Sequence, residues 1–356
     1  MSEATRPVVS VCIANYNGEL LLDACIGSVP VQEQATPSGV AGRGCIVRPV
    51  TPETLGRQSA PWSFGTTETK ESRMTIRQHI PTRLKRLARI FAYTVMDAWD
   101  SLRGNREPMT PPRMTALIVG SGDFKRAGEE FLMHFIRECG LKPEHRVLEI
   151  GSGYGRMAVG LTPYLSRDGG GYDGIEIMGK AVAWCREEIT ARFPNFRFHH
   201  ADLRNPYSNP EGVDDALHYR LPFAQETFDF VLLTSVFSHM RPQEIEAYLG
   251  EISRVMKAGA SSFITYYLLD DFALDQIRQR RASQPFHHAF DGFLSTSRST
   301  PENTIAVPEC TIRQFYDLHG MDIEEPVRFG AWSGRERYLS YQDIVIAHKR
   351  IRGRQG

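Results

Sequence analysis

The stretch RVLEIGSGYGRMAVGL, beginning at Arg146, carries the residues best spaced for chemistry. Val147 to Ile150 is a short apolar run that predicts a buried strand, and Gly151, Gly153 and Gly155 predict a tight turn. Arg156 to Leu165 follows as a helix, irregular where Pro163 falls. A strand, a glycine turn and a helix set open backbone N–H groups at a helix N-terminus, which suits an anionic or polar ligand group. A dinucleotide turn wants Gly-x-Gly-x-x-Gly, whose third glycine lets helix and strand pack closely. Here Arg156 stands where that glycine would be.

The spacing Gly-x-Gly-x-Gly, preceded by Glu149, resembles motif I of class I S-adenosylmethionine-dependent methyltransferases. The resemblance implies a ligand without a pyrophosphate, whose methionine amino group needs an acceptor and whose carboxylate needs donors. It implies cofactor contacts from Glu149, Gly151, Ser152, Gly153, Tyr154 and Gly155. A Rossmann-like fold also requires an acidic residue closing the second strand, about twenty positions after the turn, to accept the ribose hydroxyls. GYDGIEI supplies Glu176, and Asp173 sits too early. The third strand, Phe196 to His200, leads into Asp202, an acceptor for an adenine amine, and Leu203, a cover for the ring. The fourth, Phe230 to Leu233, ends at Thr234-Ser235, where open α/β sheets bind ligands.

The elements that must hold these residues follow in order. A helix striped by Ile245, Leu249, Ile252, Val255 and Met256 precedes a fifth strand, Ser262 to Leu268. Lys257-Ala258-Gly259-Ala260 lies between them where many methyltransferases have Lys-Pro-Gly-Gly, and it predicts a turn. A helix over Thr311 to His319 and strands in IEEPVRFGAW and YQDIVIAHK complete the pattern. The resemblance therefore implies an α/β, Rossmann-like fold over 116–350, with a mostly parallel seven-stranded sheet and a C-terminal antiparallel hairpin. VGSGDFKRAGEEFL, LTSVFSHM and GAWSGRERYLSYQDIV are similar to a bacterial subgroup of these enzymes.

Methyl transfer to a hydroxyl needs a positioned acceptor and a base. His239, just beyond the fourth strand, is the candidate base. The insertion SQPFHHAFDGFLSTSRSTPENTIAVPE offers Phe286, His287, His288, Phe290 and Phe293 as an acceptor pocket, and Trp332, Arg335 and Tyr341 form a second candidate wall. His199 and His200 are adjacent on a strand and face opposite sides, so no metal site is expected there.

Upstream, PVVSVCIANYNGELLLDACIGSVPVQ resembles the first strand, loop and helix of family 2 glycosyltransferases. The acidic metal-binding turns such an enzyme needs do not follow, so residues 1–32 are expected to be a fragment without that activity. Residues 33–75, rich in Pro, Gly, Ser and Thr, predict a poorly ordered linker. Residues 76–115 predict an amphipathic helix and a boundary loop; Leu84, Leu87, Phe91, Val95, Trp99 and Leu102 form its stripe, with Arg83, Lys85, Arg86 and Arg89 clustered early. Such a helix docks on the domain, on a second copy or on a membrane surface.

Acidic and basic residues balance at 42 each, so nothing in the charge points to nucleic acid. Six scattered cysteines without a Cys-x-x-Cys pair argue against a disulfide framework and a thiolate zinc site. No run approaches the roughly 20 apolar residues of a membrane span, and no signal peptide is evident, so a cytoplasmic protein is expected. These features predict S-adenosylmethionine-dependent methyl transfer to a hydroxyl or amine of a small molecule or glycan, the glycan following from the glycosyltransferase-like opening. A non-catalytic Rossmann-like binding module and a family 2 glycosyltransferase are the alternatives.

Overall fold

In a computed structural model, residues 82–116, 123–205 and 209–351 are described. The fragment 1–32 and the linker 33–75 lie outside them.

The elements run α1 (Thr82–Leu102), α2 (Arg113–Ala116), α3 (Phe124–Cys139), β1 (Arg146–Ile150), α4 (Arg156–Leu161), β2 (Gly171–Glu176), α5 (Gly179–Cys185) and β3 (Phe196–His200). They continue with β4 (Phe228–Leu233), α6 (Pro242–Val255), β5 (Met256–Tyr266), β6 (Leu268–Leu269), α7 (Asp271–Arg278), β7 (His288–Phe290) and β8 (Phe293–Ser295). The last are β9 (Ile305–Pro308), α8 (Glu309–Leu318), β10 (Met321–Ile323) and β11 (Asp343–Lys349). Seven strands form one sheet in the order β10-β11-β5-β4-β1-β2-β3. The first five in sequence pair in parallel, and β11 lies antiparallel to both β5 and β10. This is the Rossmann-like sheet and terminal hairpin expected from the motif order.

The strands read as near-continuous apolar runs because both faces are covered. Val147, Tyr172, Phe196, Phe230, Leu232, Phe263 and Ile346 point into one core, with α3, α4 and α5. Leu148, Ile150, Ile175, Val231, Leu233, Ile264 and Val345 point into the other, with α6 and α8. On the first face the helices cross at two glycines. A Cβ on Gly160 would stand 2.3 Å from the Gly128 carbonyl oxygen, and one on Gly128 would stand 2.4 Å from the Arg156 carbonyl oxygen. Backbone cannot swing aside as a side chain can. Gly160→Ala is therefore expected to cost about 3 kcal/mol, lowering Tm by roughly 6–12 °C, as thermal unfolding followed by circular dichroism will show.

Several boundaries differ from the sequence expectations. Lys257 to Ala260 is not a free turn: β5 begins at Met256 and runs through it, with Gly259 at φ +76° and a register shift on β4. Ala258, standing where a proline would remove an N–H, does not bar the extended chain. Helix α5 ends at Cys185 and passes into a π-helical turn, Arg186–Thr190. There Arg186 Nε and Thr190 Oγ1 donate to the carbonyls of Phe198 and Phe196 on β3.

IEEPVRFGAW is a strand only at its start. Pro326 lacks an N–H, and the chain around Gly330 and Trp332 is drawn onto buried Asp343, which accepts from Gly330 N at 2.6 Å and Trp332 Nε1 at 2.7 Å. The insertion after α7 adds β7, β8 and β9 to β6, which precedes α7, in a second sheet of order β6-β9-β8-β7. There Phe286 is fully buried against Tyr267 and Trp332, so it fills a satellite core and not a pocket.

Candidate cofactor and acceptor site

β1 pairs with β2 on one side and β4 on the other, so the strand order reverses at β1. At such a switch point the loops leaving the strand ends diverge and open a crevice. A cavity of about 410 Å³ lies there. Its wall includes Glu149 from β1, Gly151, Ser152 and Gly153 from the glycine turn, Glu176 from the end of β2, Leu203 after β3 and Thr234 after β4.

The turn itself depends on glycine. Gly151, Gly153 and Gly155 have φ of +79°, +52° and +73°. At Gly151 a Cβ would lie 2.3 Å from Val236 Cγ2, and at Gly155 one would lie 2.5 Å from Ile189 Cδ1. The left-handed backbone lets Gly153 aim its N–H at Glu176 Oε2 (2.7 Å), while Met178 N donates to Oε1 (2.8 Å). Burial raises the Glu176 pKa, and the backbone N–H groups of Met178, Gly153 and Ile177 work against that rise. A carboxylate has about four lone-pair sites, so acceptor capacity remains for a ligand hydroxyl.

Glu149 behaves differently. It is buried and accepts from the Tyr172 hydroxyl. Burial pushes it up to about 8, against the Tyr172 hydrogen bond, and the nearby Glu176 charge adds to the rise. It is thus mainly protonated at neutral pH. A carboxyl raised above its ordinary value near 4.5 contributes stability that is fully present below that value and lost as pH rises through about 8. Glu149→Gln is expected to flatten the loss of stability between about pH 4.5 and 8, measured by denaturant unfolding across that range. Asp173, the early competitor of Glu176, is buried at the other end of β2. Burial opposes its charge, but His199 (2.8 Å) and Arg197 (3.0 Å) hold its pKa below the ordinary value.

Other expected cofactor residues fall outside the cavity lining. Tyr154 packs its ring on Trp184, and Gly155 backs the turn against Cys185 and Ile189. Asp202 lies next to Leu203, but its Oδ1 accepts from Asn209 Nδ2 at 2.9 Å. Sequence reasoning passed over Arg156, Gln342, Tyr219, Tyr248 and Glu302, all of which line the cavity. Only Arg156 carried a signal, as the residue in place of the third glycine. Ser235 has φ +59°, uncommon for a residue with a side chain. Its N–H donates to Thr265 Oγ1, and both hydroxyls donate to Gln342 Oε1, tying β4, β5 and the approach to β11 together under the cavity.

His239 lies in a short 3₁₀ turn, Phe237–His239, and lines the cavity. Its Nδ1 is 3.1 Å from the Glu302 carbonyl oxygen. A carbonyl only accepts, so Nδ1 carries the hydrogen and Nε2 the lone pair of the neutral ring. Burial lowers the His239 pKa, opposed by the carbonyls of Glu302 and Asn303.

Of the second candidate wall, only Tyr341 reaches the cavity, with its hydroxyl bonded to Ser283 and Gln284. Trp332 is fully buried with its indole N–H on Asp343. Arg335 is paired with Asp270 and lies over the Phe329 ring. His287 is exposed and His288 sits in β7; neither lines the cavity. These four expectations are corrected by the folding of the insertion and the 330–335 segment onto a satellite core. Among the described residues, no cluster of His, Cys, Asp or Glu could hold a metal ion.

Residues 147–259 match the sequence model of a family described as "Methyltransferase domain". The matched segment, under a third of the chain, is similar to that family. It contains the glycine turn, Glu176, Leu203, Thr234 and His239, and it implies S-adenosylmethionine as the cofactor. The cavity fits such a ligand on its own chemistry: a buried carboxylate with spare lone pairs at Glu176, and a buried Ser152 hydroxyl without a protein partner on the same wall. Among solved structures, a protein described as a SAM-dependent methyltransferase from Methanosarcina mazei is 19% identical and aligns over 59% of this chain and 95% of its own, with a TM-score of 0.40. A SAM-dependent methyltransferase from Aquifex aeolicus is 17% identical over 62% of this chain and 88% of its own, with a TM-score of 0.39.

Proposed function

We propose that the chain transfers a methyl group from S-adenosylmethionine to a hydroxyl or amine of a small molecule or glycan, with His239 receiving the acceptor's proton. The observation that carries this is the fixed tautomer of His239: Nδ1–H is spent on a backbone carbonyl, leaving Nε2 as a proton acceptor in a ring kept neutral by burial. The bound cofactor supplies a sulfonium methyl group open to displacement. Glu176 receives the ribose hydroxyls, Leu203 covers the base, and the glycine turn with Ser152 receives the methionine end. Tyr219, Leu221 and Tyr248 line the same cavity as His239. There Arg241 and Glu302 hold each other, with Arg241 Nε donating to Oε1 at 2.8 Å. Such a wall excludes water and leaves few polar groups to orient an acceptor.

The resemblance of residues 7–32 to a glycosyltransferase start is what favours a glycan over other hydroxyl compounds, in a bacterial cytoplasm. The test is transfer of labelled methyl from S-adenosylmethionine to a panel of sugars, phenols and amines. Label on an oxygen or nitrogen is expected. Label found only on carbon or sulfur, or on no member of a broad panel, would contradict the proposal.

A further inference from the structure

Helix α1 is amphipathic, yet it meets the rest of the chain with its polar side. Arg113 of α2 bonds Asp97 Oδ1 at 2.7 Å and Asp100 Oδ2 at 2.6 Å. On the far side of the helix, Phe91, Val95, Trp99 and Leu102 follow one another at helical spacing and share one face. They are 72%, 50%, 53% and 84% exposed. A helix of a globular domain ordinarily turns such a stripe inward, and a contiguous exposed apolar patch marks a surface that something covers.

Charge decides what covers it. The helix and the residues just after it carry Arg83, Lys85, Arg86, Arg89, Arg103 and Arg106 against Asp97, Asp100 and Glu107. All three carboxylates are taken up by the body of the protein: Arg113 pairs with the aspartates, and Lys125 Nζ lies 2.9 Å from Glu107. By helical position Lys85 and Arg103 border the stripe, Arg86 and Arg89 fall on the side of Asp97 and Asp100, and the net charge left on this segment is basic. A second copy laid along the stripe would bring like charges together, with no carboxylate of α1 left to offset them. An anionic surface is complementary to both features, the apolar stripe entering its acyl boundary and the basic residues meeting its headgroups. Arg103, 4.3 Å above the Trp99 ring, lies where a snorkelling cation would.

We propose that α1 docks the protein on an anionic lipid bilayer, holding the methyltransferase domain at a membrane surface without crossing it. No described helix is long and apolar enough to span a membrane.

The test is flotation of the full chain with vesicles of phosphatidylcholine alone, or containing about a third phosphatidylglycerol, at low and high salt. Binding is expected only to the anionic vesicles, falling steeply with salt. Phe91→Glu with Trp99→Glu should abolish it. Changing Lys85 and Arg103, which border the stripe, to serine should weaken it by about fivefold per residue. The exposed positions of Phe91 and Trp99 make the first pair of changes safe for folding, checked by an unchanged Tm. Three results would overturn the proposal: equal binding to neutral vesicles, no binding by a protein that sediments as a monomer, or a dimer that Phe91→Glu with Trp99→Glu dissociates. The last would make a second copy the occupant.

Discussion

Glu176→Ala is expected to weaken S-adenosylmethionine and S-adenosylhomocysteine binding by about a hundredfold, the loss of two hydrogen bonds to a charged acceptor. The carboxylate is already oriented before ligand arrives, because Gly153 N and Met178 N fix both oxygens. Little affinity is spent on ordering it. The substitution also leaves the Gly153 N–H without its acceptor, which loosens the turn beneath the methionine end. Glu176→Gln keeps the size but points an NH₂ group at one of two N–H donors, so it should fail nearly as badly. Calorimetric titration measures the effect, with circular dichroism to confirm folding. Unchanged affinity would mean that the ribose hydroxyls are held elsewhere.

The second large effect is at His239. His239→Ala is expected to lower kcat by roughly 100- to 1,000-fold, while cofactor affinity changes by less than about twofold, since the proposed partner of the ring is the acceptor. The pH profile separates a base from a mere filler. Burial lowers the His239 pKa from 6.5, so the acid limb of kcat in the wild-type protein should fall below that pH. Activity is lost as the ring protonates. In His239→Ala the residual rate should lack that limb. A variant that keeps both rate and limb would assign the proton to water or to another group.

What the sequence made legible was local. The apolar runs of β1 and β4, the glycine turn and the acidic end of β2 each lie in one short segment, where period and turn chemistry act directly. Glu176 was found by its distance from the turn, and the fold brought it 2.7 Å from Gly153. Choices that depended on distant partners failed. Trp332 and Arg335 have the chemistry of a binding wall, but Asp343 and Asp270 claim them. The aromatic residues of the insertion were read as pocket lining, although a strand from the insertion pairs with Leu268–Leu269 and buries Phe286. Asp202 occupies the expected position beside Leu203, yet Asn209 turns its carboxylate to local use. The role of Gln342 could not be read from its neighbours, because its two hydroxyl partners lie on β5 and after β4.

The central claim is that the crevice at the β1 switch point holds S-adenosylmethionine. Calorimetric titration of that compound into the full chain tests it most directly. One site per chain with micromolar affinity, matched or exceeded by S-adenosylhomocysteine and lost in Glu176→Ala, is the predicted result. No heat of binding in a protein shown to be folded would contradict it.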